Sequence, residues 1–152
     1  MEYEATGLFY EEFEEGRAWK TAARTIGESD VNAFSALTGD YTYLHTDAEA
    51  AAKTPFGERV GHGLLGLSFL MGLVTRLGIV EGTVEAFLGL EWRFRGPICF
   101  GDTISGEVVV KSRRISSKGQ GLVTLALRLL NQRDELIHEG DVTIMVERRE
   151  KE

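Results

Sequence analysis

Asp40 and His45, a carboxylate and an imidazole five positions apart, are the side chains whose type and spacing best suit proton transfer. They lie in Thr38-Gly-Asp-Tyr-Thr-Tyr-Leu-His-Thr-Asp47, a turn-rich stretch that can fold both back into one cleft. A group that takes a proton beside one that gives or takes one is a general acid/base pair, suited to adding or removing water. Spacing alone also fits an Asp that caps a turn and a His satisfied at a helix start, which is what most such pairs are.

A third element adds weight, at Gly61-His-Gly-Leu64. Backbone N–H groups at the start of a buried helix lack partners and sit at its positive end. Gly63 can therefore present one to a developing oxyanion with no side chain in the way. His62, at the same helix start, is poorly placed to be protonated, so an orienting or packing role fits it better than that of a second base. His62 and Tyr43 are grouped with the substrate-facing residues rather than with the catalytic pair.

The elements that must position these groups follow from periodicity. Trp19 to Ile26 suits a strand. Gly27 then offers an N-cap for a helix with Glu28 and Asp30 in its first turn, and Gly39 ends that helix. Asp47 to Lys53 reads as a short helical turn, closed by Pro55 and Gly57. From near His62, the run Gly63 to Thr75 is apolar on every side and must be enclosed by other structure, with Gly66, Ser68 and Gly72 as places of close approach.

The rest reads as strand. Leu90, Trp92 and Phe94 alternate with Glu91, Arg93 and Arg95. Then come Ile104, Val108 and Val110, the series Val123 to Leu129, and Leu136, Val142, Ile144 and Val146. Ser116 to Gly119 and Asn131 to Asp134 are hairpin turns. One buried helix followed by a meander predicts an α+β fold, an antiparallel sheet of about five strands wrapped around the helix, in a single domain over 1–152. A second subunit would cover the sheet's open edge.

Composition narrows the function classes. The 152 residues are 43% apolar and 27% charged with two prolines, ordinary for one soluble domain without a disordered linker. A net charge of −7 speaks against nucleic acid, whose phosphates need a basic footprint. Cys99 is the one cysteine, so an internal disulfide is impossible; it reads as a small buried apolar residue. No metal is expected. The acidic start is the reverse of a secretory signal, and Gly63 to Thr75 falls short of the roughly 20 residues of a membrane span. A cytoplasmic protein is expected.

At these residues the sequence resembles the MaoC-like, (R)-specific enoyl-CoA hydratase family of hot-dog proteins. The match runs from Phe34 through Leu37-Thr-Gly-Asp-Tyr41, Leu44-His-Thr-Asp47 and Ala51, then Phe56-Gly57, Gly61-His-Gly-Leu-Leu65, Phe94-Arg-Gly-Pro-Ile98 and Phe100-Gly-Asp102. The family motif is Gly-Asp followed by Asn-Pro-aliphatic-His, and Asp40 and His45 fall on its acid/base positions. The resemblance implies a single hot-dog domain, no cofactor, and a water held between that pair. It also implies syn addition across an enoyl thioester of coenzyme A or an acyl carrier protein, with the thioester oxygen bound by the Gly63 amide, and a homodimer with acyl tunnels near the interface. Thr42 and Tyr43 depart from the usual Asn and Pro. Losing the proline frees φ in the loop, and losing the Asn removes an amide that could brace it; Tyr43 is bulky enough to narrow an acyl pocket toward short or polar groups.

Two other functions fit the same scaffold. A hot-dog thioesterase usually needs a carboxylate on or beside the central helix, and Gly63 to Thr75 has none. A non-catalytic acyl-binding module would bind thioesters without turnover. Lys53, Arg59, Arg93 and Arg95 are possible contacts for coenzyme A phosphates, with nothing to single one out.

Overall fold

The computed structural model describes residues 4–149. A 3-10 turn at Tyr10–Glu12 precedes strands β1 (Ala18–Lys20) and β2 (Arg24–Thr25). Helices α1 (Glu28–Thr38), α2 (Tyr43–Thr46), α3 (Ala48–Ala51) and α4 (Gly63–Thr75) follow, and strands β3 (Val84–Phe94), β4 (Thr103–Ile115), β5 (Gly121–Leu130) and β6 (Leu136–Val146) complete the chain. Among the described residues the sheet has six strands, the expected five in one path and the two-residue β2 beside them. Its order is β1-β4-β5-β6-β3, with β2 also on β4, and every pairing is antiparallel.

The stretch Trp19 to Ile26 is not one strand. Lys20 pairs with Glu107 and Arg24 with Ile104, so three residues face two, and the ladder bulges at Thr21. The Thr21 hydroxyl accepts from the Gly106 amide at 2.8 Å, where a regular ladder would use the backbone.

Alternation decides what the sheet buries. Ile104, Val108 and Val110 of β4, Val123, Leu125, Leu127 and Leu129 of β5, and Val142, Ile144 and Val146 of β6 point inward onto α4. Leu65, Leu70 and Val74 of α4 meet them. Gly106 lets the helix come close, since a Cβ there would stand 2.4 Å from Leu70 Cδ1. Removing a wholly buried side chain such as Leu70 would cost about 2–5 kcal/mol.

Two apolar surfaces stay open. Strand β3 lies at the sheet edge, and its Val84, Phe87, Leu88, Leu90 and Phe94 are exposed despite the alternation that marks a core face. Helix α4 leaves a stripe of Leu64, Ser68 and Gly72 uncovered. Among the described residues no helix is long and apolar enough to cross a membrane.

Candidate active site

Gly39 makes the first placement. It adopts φ +78°, a left-handed conformation that glycine takes without strain, and its amide closes α1 onto the Ser35 carbonyl. The chain therefore leaves the helix sharply and sets Asp40 beside the start of α4. Thr42 then fixes the carboxylate: its hydroxyl and its amide both donate to Asp40 Oδ1, at 2.6 and 3.1 Å. The loop is thus braced by the residue whose presence predicted a looser one, because a threonine hydroxyl closes the same short turn onto an aspartate that an amide would.

Those two hydrogen bonds, with lesser help from the nearby His45 and His62, hold the Asp40 carboxyl below its ordinary value despite some desolvation. Asp40 is ionised at neutral pH, with its side chain 47% exposed.

His45 sits in the short turn of α2 and is buried. Its Nδ1 lies 2.6 Å from the Val60 carbonyl, which can only accept, so Nδ1 carries a proton and Nε2 is the nitrogen left to give or take one. Val60 is itself tied back by its amide to the Leu44 carbonyl and by a bridge to Cys99. Cys99 is half-buried rather than buried, and burial pushes its thiol up to about 11, leaving no thiolate near the site.

His62 is the N-cap residue of α4, and its ring stacks on that of His45 with centroids 3.7 Å apart. Its Nε2 donates to the Asp40 carbonyl at 3.0 Å and lies 3.3 Å from Ser35 Oγ, while Nδ1 is buried with no partner among the described residues. His62 thus positions the Asp40 loop from behind. Polar atoms of Asp40, His45 and His62 all lie within 4.8 Å of one another. One carboxylate and two imidazoles is a donor set a divalent cation accepts, but here His62 Nε2 is already held by the Asp40 carbonyl.

A cavity of about 540 Å³ opens beside this cluster. His45, Gly63, Phe94, Ile98 and His138 are in its wall; Asp40, Tyr43 and His62 are not. Tyr43 is half exposed outside it, so within one protomer it does not narrow this space. Gly63 opens α4 with its amide in the first turn, where the helix supplies no acceptor. A Cβ at Gly63 would stand 2.7 Å from the Phe94 ring, so the close approach of that ring requires glycine there.

The sequence reading missed His138. It occupies an inward position of β6, in step with Val142, Ile144 and Val146, and faces Phe94 directly across the β3–β6 ladder. Strand parity carried the signal: a histidine in phase with the buried residues of an apolar strand.

Helix, sheet and site together define a hot-dog domain, and a double hot-dog protein from Mycobacterium tuberculosis superposes with a TM-score of 0.81 at 19% identity, over 96% of this chain and 46% of that one. Residues 12–130 match the MaoC like domain, and the chain belongs to that family. Protein MaoC of Klebsiella aerogenes is 38% identical over 108 residues, 70% of this chain but only 32% of that protein, so the chain spans about a third of that relative. The (R)-specific enoyl-CoA hydratase of Aeromonas caviae is 30% identical over 122 residues, covering 80% of this chain and 87% of that enzyme. A structure described as a monoamine oxidase regulatory protein from Archaeoglobus superposes with a TM-score of 0.89 at 32% identity, over 95% of this chain and 97% of that one.

Proposed function

We propose that this protein reversibly hydrates α,β-unsaturated acyl thioesters of coenzyme A or an acyl carrier protein, giving the (R)-3-hydroxyacyl product. The observation that carries the reading is the convergence of Asp40 and His45 beside the first turn of α4, with a cavity reaching both His45 and the Gly63 amide. A relative named (R)-specific enoyl-CoA hydratase that aligns over most of this chain supports it.

In this mechanism Asp40, ionised, and His45 Nε2, bare, accept hydrogen bonds from one water. The water oxygen bonds to the β-carbon as its proton passes to the pair, and the β-carbon's share of the double bond moves onto the thioester as an enolate. The Gly63 amide, at the positive end of α4, stabilises that oxygen. The proton then returns to the α-carbon on the same face, so water is added whole and the pair is restored. Dehydration is the reverse. His62 keeps the Asp40 backbone in place, and Tyr43 meets substrate only at the mouth.

A second copy of the chain completes the molecule by covering the β3 edge, whose row of exposed apolar side chains is an aggregation hazard in a lone protomer. Crotonyl-CoA tests the chemistry. The conjugated thioester absorbance should disappear with no free thiol released, and the product should be the (R)-3-hydroxy isomer. Thiol release would make the protein a thioesterase, and tight binding without turnover would make it a non-catalytic module.

A further inference from the structure

His138 has no assigned task, and its setting calls for one. Its side chain is 1% exposed, its Nδ1 has no hydrogen-bond partner among the described residues, and it lies in the wall of the cavity that reaches His45 and Gly63. The neighbours that the ring meets here are aromatic or lack a polar side chain. The ring edges of Phe94 and Trp92 meet it with centroids 4.8 and 6.0 Å away, and Gly66 of α4 lies against it, where a Cβ would come within 2.8 Å of its Cε1. A valine or isoleucine, as at the inward positions Val142, Ile144 and Val146 of β6, would fill such a place without burying an unsatisfied nitrogen, which costs stability. Burial also lowers the imidazole to about 4, so at neutral pH the ring offers one N–H and one lone pair.

The residues lining the cavity differ sharply in exposure: Phe56, Leu64 and Phe94 are 46–60% exposed, whereas Ile98 and His138 are almost fully buried. Gly63 and Gly66 are three residues apart on α4, about 4.5 Å along the axis at 1.5 Å per residue. An acyl group whose thioester oxygen is on the Gly63 amide thus reaches His138 within a few carbons.

We infer that His138 is a specificity-determining residue that hydrogen-bonds a hydroxyl on the γ- or δ-carbon of a short acyl chain. A hydroxyl fits because it donates and accepts at once, as a neutral imidazole does, and it satisfies a buried group that an unsubstituted chain would leave unpaired. This inference rests on the hydratase reading and names the substrate class of that same site.

The test compares γ-hydroxycrotonyl-CoA with crotonyl-CoA. The wild-type protein should favour the hydroxylated thioester about tenfold in kcat/KM, mostly through KM, the value of one neutral hydrogen bond. His138→Leu should bring the ratio to about one, and His138→Gln, which keeps a donor and an acceptor, should restore part of it. Equal use of the two thioesters by wild type, or a Leu variant that loses both in proportion, would overturn the role of His138 while leaving the hydratase reading intact. Hydration of neither would overturn the hydratase reading. Calorimetric binding of the saturated pair, γ-hydroxybutyryl-CoA against butyryl-CoA, then reads the same preference without turnover, and equal affinities would overturn it. It also serves if the Leu variant fails to fold.

Discussion

All three histidines of the chain gather around the first two turns of α4, yet its two sides use them differently. On the loop side, His45 Nδ1 is held by Val60, His62 Nε2 by the Asp40 carbonyl, and Asp40 by Thr42. Each ring is fixed in rotation and tautomer, which is what proton transfer requires. On the sheet side, His138 stands among Phe94, Trp92 and Ile98, and its Nδ1 has no hydrogen-bond partner among the described residues. On the proposed hydratase reading, the hydrogen-bonded side serves the proton transfer and the bare side answers the acyl chain.

Breaking the loop side should have the largest effect. Asp40→Asn or His45→Gln should lower kcat by about 10²–10⁴-fold while circular dichroism and the melting temperature stay close to wild type. Activity retained by either would remove that residue from the chemistry. Between the two sides lies Gly63. Gly63→Ala forces the Phe94 ring to move, a strain of about 1–3 kcal/mol, so kcat/KM for crotonyl-CoA should fall about tenfold or more. Adding Phe94→Leu should recover part of that loss if the ring is its cause.

The sheet side should show itself in stability. Folding holds the His138 imidazole at about 4 against an ordinary 6.5, so above 6.5 neither state takes up a proton there. As pH falls from 6.5 toward 4 the unfolded chain binds the proton first, and stability declines through that window. Urea midpoints across it should fall more steeply for wild type than for His138→Leu, a difference that separates this group from the carboxylates. The smallest effect concerns Thr42. Thr42→Val keeps the amide bond to Asp40 but loses the hydroxyl, so the acid limb of kcat/KM should move up in pH. An unmoved limb would mean that the hydroxyl does not tune the carboxylate.

Much of this was legible in the sequence where one physical demand dominated. A helix with no polar face had to be wrapped, and the alternation of β4, β5 and β6 showed which residues would wrap it. Gly39 and the turns at Ser116 and Asn131 were readable because backbone geometry limits what can stand there. The strand expected over Trp19 to Ile26 failed because propensity cannot reveal that the Thr21 hydroxyl takes over a ladder bond. In β3 the alternation was real, but the face it marks is open in one protomer, and a single sequence carries no sign of what lies opposite. Thr42 was judged by what it lacks, an amide and a ring, whereas its short hydroxyl closes on Asp40. His138 was passed over because strand reading weighs apolar residues and is silent on a polar one in phase with them.

A double-mutant cycle on kcat tests most directly whether the carboxylate and the imidazole act on one water. Two groups that serve a single proton transfer cannot be lost twice, so the Asp40→Asn/His45→Gln protein should be about as slow as the slower single variant. Losses that multiply across the cycle would mean the two side chains act independently, and would contradict the shared water.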